Sequence, residues 1–333
     1  WLNMGGRVLM GVVVVLSLVV ELGGAFSLDG AVPGLRLLRR LSIISDSRRW
    51  QVVPLVDGTV DVPVGREAAP GAEEEIPRIL HQTWIDEDVP ERWHAAVNSC
   101  KELNPNYTYM FWTHKTMKEF VHREFPEMAE TFDGYPHDIQ RADAFRYMML
   151  VKHGGFYADL DVGCEIPLDK LRGYQPFLLG GTQPWGFSNC FIATAPRSPF
   201  FRRVVERLPE TRWNGWPFRY THVLLSTGSM FLSLEWATWM LWPPVSPEVS
   251  QKYKGWFLPQ KALFGNKIFH HYKGGSWQGS SDFVVYHLHE LLLAGWGTAI
   301  ASTFGAVLVF FVMMRTRQKL RERRMGAKVI HSD

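Results

Sequence analysis

"HGGFYADLDVGC", residues 153–164, places two carboxylates one residue apart, directly after a glycine pair and a short apolar run. Acids are poor strand formers, so Asp159 and Asp161 at this spacing require either a turn or a ligand. "FYAD" reads as a short strand, and in an extended segment residues two apart point to the same side. At the strand's exposed carboxyl end both side chains can converge on one cation. Hard oxygen ligands suit Mg²⁺ or Mn²⁺, and a diphosphate can supply the remaining ligands.

The stretch before it, "DIQRADAFRYMMLVKHGG" (residues 138–155), predicts an amphipathic helix closed by glycines, with Ile139, Ala142, Phe145 and Met149 as its buried stripe. Asp143 and Arg146 stand three apart on a neighbouring face. Alone they read as a surface ion pair; beside Asp159 and Asp161 they read as polar groups at a pocket rim. Further upstream, "PRILHQTW" (77–84) and "YTYMFWT" (107–113) have strand character, while "ERWHAAVNSCKELN" (91–104) and "TMKEFVHREF" (116–125) have helical spacing. That order predicts an α/β fold with a mostly parallel sheet flanked by helices, and ligands at the carboxyl ends of its strands. No glycine-rich phosphate loop follows the first strand.

Composition frames this body. The 333 residues are 46 % hydrophobic and carry a net charge of +3. Residues 315–328, "RTRQKLRERRMGAK", hold seven Lys/Arg against one Glu; subtracting their +6 leaves the rest at −3. The basic balance belongs to a tail, which argues against a nucleic-acid partner. Immediately before it, residues 291–314 run without a charge, long enough for a transmembrane helix. The cations would stay cytosolic and the body would face the other side. Residues 8–20 are apolar up to Glu21 and suit a signal peptide or signal anchor within 1–25, although Arg36, Arg39 and Arg40 pull the opposite way.

Residues 35–50 could form a short basic amphipathic helix, and the Pro-, Gly- and acid-rich 54–75 reads as linker. The expected order is therefore segment 1–25, stem 26–75, catalytic domain 76–290, span 291–314 and tail 315–333. The three cysteines, Cys100, Cys164 and Cys190, form no metal pattern; one pair could bridge in an oxidising lumen, and the sequence does not choose it. Asn106-Tyr107-Thr108 is a glycosylation sequon.

With these residues in hand, a resemblance is plain. "IPRILHQTW", "NPNYTYMFWT", "IQRADAFRYMMLVKHGGFYADLDVGC", "SNCFIATAPRSPFF", "STGSMFL" and "HYKGGSW" occur in the order found in the DXD-containing glycosyltransferases of the Och1-like and Sur1-like group, glycosyltransferase family 32. The similarity covers about residues 76–285, and the apolar segment close behind "GGSW" resembles the branch that mannosylates inositolphosphorylceramide. The resemblance implies a GT-A fold, GDP-mannose as donor, a divalent metal (Mn²⁺, with Mg²⁺ the alternative), retention at the anomeric carbon and a Golgi membrane with the catalytic domain lumenal. It also implies a membrane lipid acceptor and raises a regulatory membrane subunit.

Residue by residue, the resemblance implies that Asp159 touches the donor ribose or sugar and Asp161 ligates the metal. Asp143 and Arg146 would hold sugar hydroxyls, His81 and Trp84 would cradle the base, and Asn189 would lie near the sugar. His271, Ser276 and Trp277 would close over metal and diphosphate. The chain departs from the family pattern at Cys190, Ser229 and Gln278, where Asp, Pro and His are common. Two aromatic stretches, 213–225 and 236–244, are candidates for an interfacial surface or for core. The rivals are an α-1,6-mannosyltransferase acting on protein glycans, a non-catalytic membrane adaptor and a metal-dependent hydrolase. The last would need a water-activating cluster with metal-ligand spacing, which the sequence lacks.

Overall fold

The computed structural model describes residues 75–182, 186–212 and 219–242, with shorter stretches at 40–41, 43–44, 50–56, 59–60, 245–246, 253–260, 263, 265 and 268–272. The chain divides into two compact units, residues 1–41 with 283–333 and residues 42–282, and the second holds nearly all the described residues. The apolar segments 8–20 and 291–314, the basic tail, the aromatic stretch 213–218, Ser276, Trp277 and Gln278 lie outside them. Among the described residues no helix is long and apolar enough to cross a membrane.

The strands are β1 (Leu55–Val56), β2 (Thr59–Val60), β3 (Ile79–Thr83), β4 (Thr108–Trp112), β5 (Gly155–Ala158), β6 (Val162–Cys164), β7 (Phe177–Gly181), β8 (Phe187–Thr194), β9 (Trp256–Leu258) and β10 (Phe269–His271). The helices are α1 (His94–Leu103), α2 (His114–Glu124), α3 (Ala129–Asp133), α4 (Asp138–His153), α5 (Pro199–Thr211), α6 (Arg219–Ser226) and α7 (Ser229–Leu241). Six strands form one sheet in the order β4-β3-β5-β8-β7-β9. β3 runs parallel to β4 and β5, and β7 to β9, while β8 is antiparallel to both its neighbours. The sheet is thus mixed and mostly parallel, with one reversed strand that periodicity could not reveal. β6 and β10 pair antiparallel as a separate ribbon.

Local chemistry explains how the central part is set. Thr113 caps α2, its hydroxyl accepting from Thr116 N and its own N–H donating to the Thr116 hydroxyl, a reciprocal capping box. The helix α4 ends because Gly154 has φ 65° and Gly155 φ 96°, backbone that L side chains rarely adopt. A Cβ on Gly155 would lie 2.7 Å from the Ile79 carbonyl, so only glycine lets β5 begin this close to β3. The chain leaves α4 and enters the middle of the sheet without a loop.

α4 is less amphipathic than its spacing predicts. Every residue from Asp143 to Val151 is buried, whereas Ile139 and Ala142 are half-exposed and line a cavity. The helix is wrapped by the rest of the unit beyond its first turn and a half, so a one-sided stripe is not needed. Part of the expected stem also packs on the body: Val53 is buried and its N–H donates to the Phe257 carbonyl, and Trp50 lies against Phe187 and Phe257. In the 236–244 stretch Trp236 and Trp239 are core residues with no exposed surface, while Trp242 is exposed. Cys100 on α1 bridges Cys164 on β6, leaving Cys190 as the buried thiol.

Candidate active site

The carboxyl ends of β3 and β5 meet the start of β8 at one edge of the sheet. β3 delivers Thr83 and Trp84, and β5 delivers Asp159. Because β8 runs backwards, its third residue, Asn189, arrives at the same edge, and Asp159 N–H donates to the Cys190 carbonyl at 2.9 Å. α4 adds Asp143 and Arg146, each only 3 % exposed. They are at the floor of the site, not at its rim.

Arg146 is the hub. Its Nη2 lies 2.9 Å from Asp143 Oδ1, and its Nη1 lies 3.1 Å from Asp159 Oδ1 and donates to the Asn189 carbonyl at 2.6 Å. The guanidinium also sits over the Tyr157 ring at 4.5 Å. A buried ion group is retained only when nearly every donor and acceptor is matched, and the surroundings supply this. Asn189 Nδ2 donates to Asp143 Oδ1 at 2.9 Å, Thr227 Oγ1 donates to Asp143 Oδ2 at 3.0 Å, and Ser229 Oγ donates to Asn189 Oδ1 at 3.1 Å. Tyr157 donates to Asp159 Oδ1 at 2.6 Å and stands 3.1 Å from Thr83 Oγ1. Burial pushes Asp143 up to about 6 even against Arg146. Burial opposes the charge on Arg146 too, but Tyr157, Asp159 and Asp143 outweigh it and hold the guanidinium protonated.

The two carboxylates of the motif sit in a turn, closed by Val162 N–H donating to the Asp159 carbonyl at 3.0 Å. The extended geometry expected of them is absent: both line the same cavity, but their nearest partners differ. Asp159 faces Arg146 and Tyr157. Asp161 precedes β6 and faces His271, which the β6–β10 pairing sets opposite Val162. Asp161 Oδ2 lies 3.6 Å from His271 Nε2, and Asp161 Oδ1 is buried without any hydrogen-bond partner. Burial first, and the Asp159 charge second, push Asp161 up to about 7. Burial lowers His271, favouring its neutral, ligating form.

An unsatisfied buried carboxylate oxygen beside a neutral imidazole is a donor set that fits a divalent cation. Among the described residues no group of three or more His, Cys, Asp or Glu side chains surrounds one position, so such a site is open and leaves room for oxygen atoms of a bound phosphate.

A cavity of about 280 Å³ opens over this floor, lined by Trp84, Trp93, Tyr157, Asp159, Asp161 and Arg146 among others. Trp84 packs edge-on to Trp93 with centroids 4.6 Å apart. A second cavity of about 160 Å³ adjoins it through Ile139, Arg146 and Asp159, and adds Asp143, Asn189 and Ser229 to the polar lining. His81 belongs to neither. Its ring is fully buried, donating from Nε2 to the Gly154 carbonyl at 2.9 Å and accepting at Nδ1 from Trp112 Nε1 at 3.2 Å. Burial lowers it to about 3, so it is a neutral tie between β3 and the end of α4.

The structure thus gathers Asp143, Arg146, Asp159 and Asn189 into one network, sets Asp161 with His271, and lines the cavity with Trp84. Tyr157, Thr227, Ser229 and Trp93 join the site without having been singled out for it. Tyr157 had a signal, since it stands two residues before Asp159 in the strand and so shares its face.

A cavity with polar floor and aromatic wall at the carboxyl ends of parallel strands is where an α/β fold binds its ligand. Residues 90–178 match the family described as "Glycosyltransferase sugar-binding region containing DXD motif". Inositol phosphoceramide mannosyltransferase 1 of Schizosaccharomyces pombe is 34 % identical over 272 residues, covering 80 % of this chain and 81 % of that protein. Inositol phosphoceramide mannosyltransferase 3 of the same organism is 37 % identical over 242 residues, covering 72 % of this chain and 64 % of that protein. Mannosyl phosphorylinositol ceramide synthase SUR1 of Saccharomyces cerevisiae is 40 % identical over 174 residues, or 52 % of this chain and 45 % of that protein. Among solved structures, the PaToxG glycosyltransferase aligns at a TM-score of 0.39 and 18 % identity, over 57 % of this chain and 79 % of that one. The chain belongs to the DXD-containing glycosyltransferase family.

Proposed function

We propose that this chain is a retaining, metal-dependent mannosyltransferase of GT-A type that moves mannose from GDP-mannose to inositolphosphorylceramide, working from the lumenal face of a Golgi membrane. The observation that carries the reading is the buried, unpartnered Asp161 oxygen beside His271. A bound divalent cation, Mn²⁺ or Mg²⁺, would supply positive charge where the diphosphate departs.

The chain's own residues account for the rest. Arg146 fixes Asp159 and Asp143 in place. Asp143 and Asn189, in the smaller cavity, offer acceptor and donor atoms to sugar hydroxyls. Asp143 is held by Arg146, Asn189 and Thr227, and Asp159 is tied to Arg146 and Tyr157, so both carboxylates belong to the network that positions the donor and neither stands apart as a dedicated nucleophile. That favours same-face attack in which the leaving phosphate takes the acceptor's proton. The lipid acceptor is supported by the names of the relatives and by the apolar stretch 291–314, which would hold the body at a bilayer, with or without a regulatory subunit. The rival acceptor, a protein glycan, rests on similarity to an initiation-specific α-1,6-mannosyltransferase of Candida albicans over only 28 % of this chain.

Transfer of labelled mannose from GDP-mannose to inositolphosphorylceramide, in membranes carrying the full chain, tests the reading. Labelled lipid should form with Mn²⁺, vanish with EDTA and be absent for Asp161→Ala. Wild-type turnover by Asp161→Ala would remove Asp161 from metal binding. Slow GDP-mannose hydrolysis without labelled lipid would retain the donor and reject the acceptor.

A further inference from the structure

The first turns of α4 form one wall of the larger cavity: Asp138, Ile139, Ala142 and Arg146 all line it. Asp138 and Arg146 are eight residues apart, which at 1.5 Å of rise per residue is about 12 Å along the helix. That is the reach of an extended nucleoside diphosphate. With the diphosphate at Asp161 and Arg146, the base falls at the Asp138 end. There Ile139, Ala142 and Met117 provide apolar contact, and Trp84 provides a partly exposed aromatic ring. An apolar slot binds any base; selecting one requires a polar group at its edge.

Resting on the nucleotide-sugar reading above, we infer that the Asp138 carboxylate reads the base of the donor and selects guanine by accepting from its adjacent N1–H and 2-amino group. A carboxylate offers acceptors only, two side by side. Guanine presents two neighbouring donors on its Watson–Crick edge. Uracil flanks its single N–H with carbonyl oxygens that repel a carboxylate, and adenine and cytosine place a ring acceptor beside their amino group. Arg141, three residues on, pairs with Asp138 Oδ1 and also donates to the Tyr135 carbonyl, which orients the carboxylate; Oδ1 keeps a second lone pair, and Oδ2 has no hydrogen bond among the described residues. The same contact keeps Asp138 below its ordinary carboxyl range, hence an acceptor at neutral pH. The carboxylate itself is 64 % exposed, within reach of a ligand entering from solvent.

The test is binding of GDP, IDP and UDP, each with Mn²⁺, to the full chain and to Asp138→Asn. IDP differs from GDP only by lacking the 2-amino group. Wild type should bind GDP at least several-fold tighter than IDP and tighter still than UDP. Asp138→Asn should lose about 10- to 100-fold for GDP, the range for hydrogen bonds to a charged group, and should erase the GDP-over-IDP preference. Its weak UDP affinity and its unfolding temperature should stay at wild type, which separates a lost contact from a damaged fold. Equal affinities for GDP and IDP on wild type, or an unchanged ratio in the variant, would overturn the inference even if GDP-mannose serves as donor. A guanine preference that depends on Asp138, with a sugar other than mannose transferred, would uphold the inference and overturn the mannosyltransferase reading.

Discussion

Replacing Arg146 by leucine keeps side-chain bulk and removes the guanidinium that serves Asp143 and Asp159 at 2.9 and 3.1 Å. Removing one partner of a buried ion group typically costs about 3–5 kcal/mol, because a charge is left without compensation. Here the cost should depend on pH, and the sign is fixed by Asp143. Its folded pKa is already raised to about 6 against Arg146, and loss of the cation raises it further. A carboxyl whose folded pKa lies above its unfolded value binds more protons when folded, so stability is present at low pH and is lost as pH rises through the folded pKa. At pH 5.5 the variant keeps Asp143 protonated; at pH 7.5 it must bury a bare charge. With a slope approaching 1.4 kcal/mol per pH unit, the deficit relative to wild type should shrink by about 1–2 kcal/mol between pH 7.5 and 5.5. Urea unfolding of the full chain, followed by fluorescence of the buried Trp112, Trp236 and Trp239, reads this directly. Adding Asp143→Asn to Arg146→Leu should recover part of the loss at pH 7.5, since a neutral amide needs no counter-ion. A deficit equal at both pH values, or a double variant as unstable as the sum of the singles, would refute the reasoning.

Other outcomes follow from single sites. Asp161→Asn should abolish transfer yet stabilise the metal-free protein by about 1 kcal/mol at pH 8, because Asp161, raised to about 7, is buried and ionised there and the amide is not; a lower melting temperature than wild type would contradict this. His81, lowered to about 3, is neutral when folded, and the unfolded state gains protons below about 6.5, so stability should fall with acidification, by about 1.4 kcal/mol at pH 5.5. His81→Gln should flatten that limb of the pH profile in urea titrations. The Cys100–Cys164 bridge closes a loop with a sequence separation of 64, for which chain entropy predicts about 4 kcal/mol. Cys164→Ser should show a loss of that order, and no change in the urea midpoint would mean that the bridge contributes nothing.

The backbone of the site was legible because its signals are local. A helix pattern, a glycine pair and a short strand follow one another in residues 138–164, and the fold keeps that order without insertion. What stayed hidden is long-range. β8 is reversed between two parallel neighbours, and no periodicity distinguishes a strand's direction. That reversal is what carries Asn189 to Asp143, 46 residues away in sequence. Thr227 and Ser229 reach the same network from the α6–α7 junction; their stretch, "STGSMFL", carried the resemblance but gave no sign of what the two hydroxyls touch. His81 shows the converse failure: the resemblance implied a contact with the base, but in the middle of β3 the Gly154 carbonyl and the Trp112 indole take both ring nitrogens and make it a buried tie.

The charge balance of the floor explains why the motif needs both acids. Asp143, Asp159 and Asp161 lie around one guanidinium, with Arg146 contacting the first two and only weakly offsetting the third. A protein selected for stability alone would match the third with a second cation or replace it, since an uncompensated buried carboxylate costs free energy at neutral pH. Instead the strain is concentrated on Asp161, the acid that faces His271 and the open cavity, while Asp159 is tied to Arg146 and Tyr157 through its Oδ1. The two acids therefore divide the work. Asp159 completes the internal network and fixes the turn's orientation, and Asp161 carries the unmet charge toward which a cation and its diphosphate would be drawn. Exchanging their roles is not possible, because only Asp161 is followed by β6, whose pairing with β10 brings the imidazole to it.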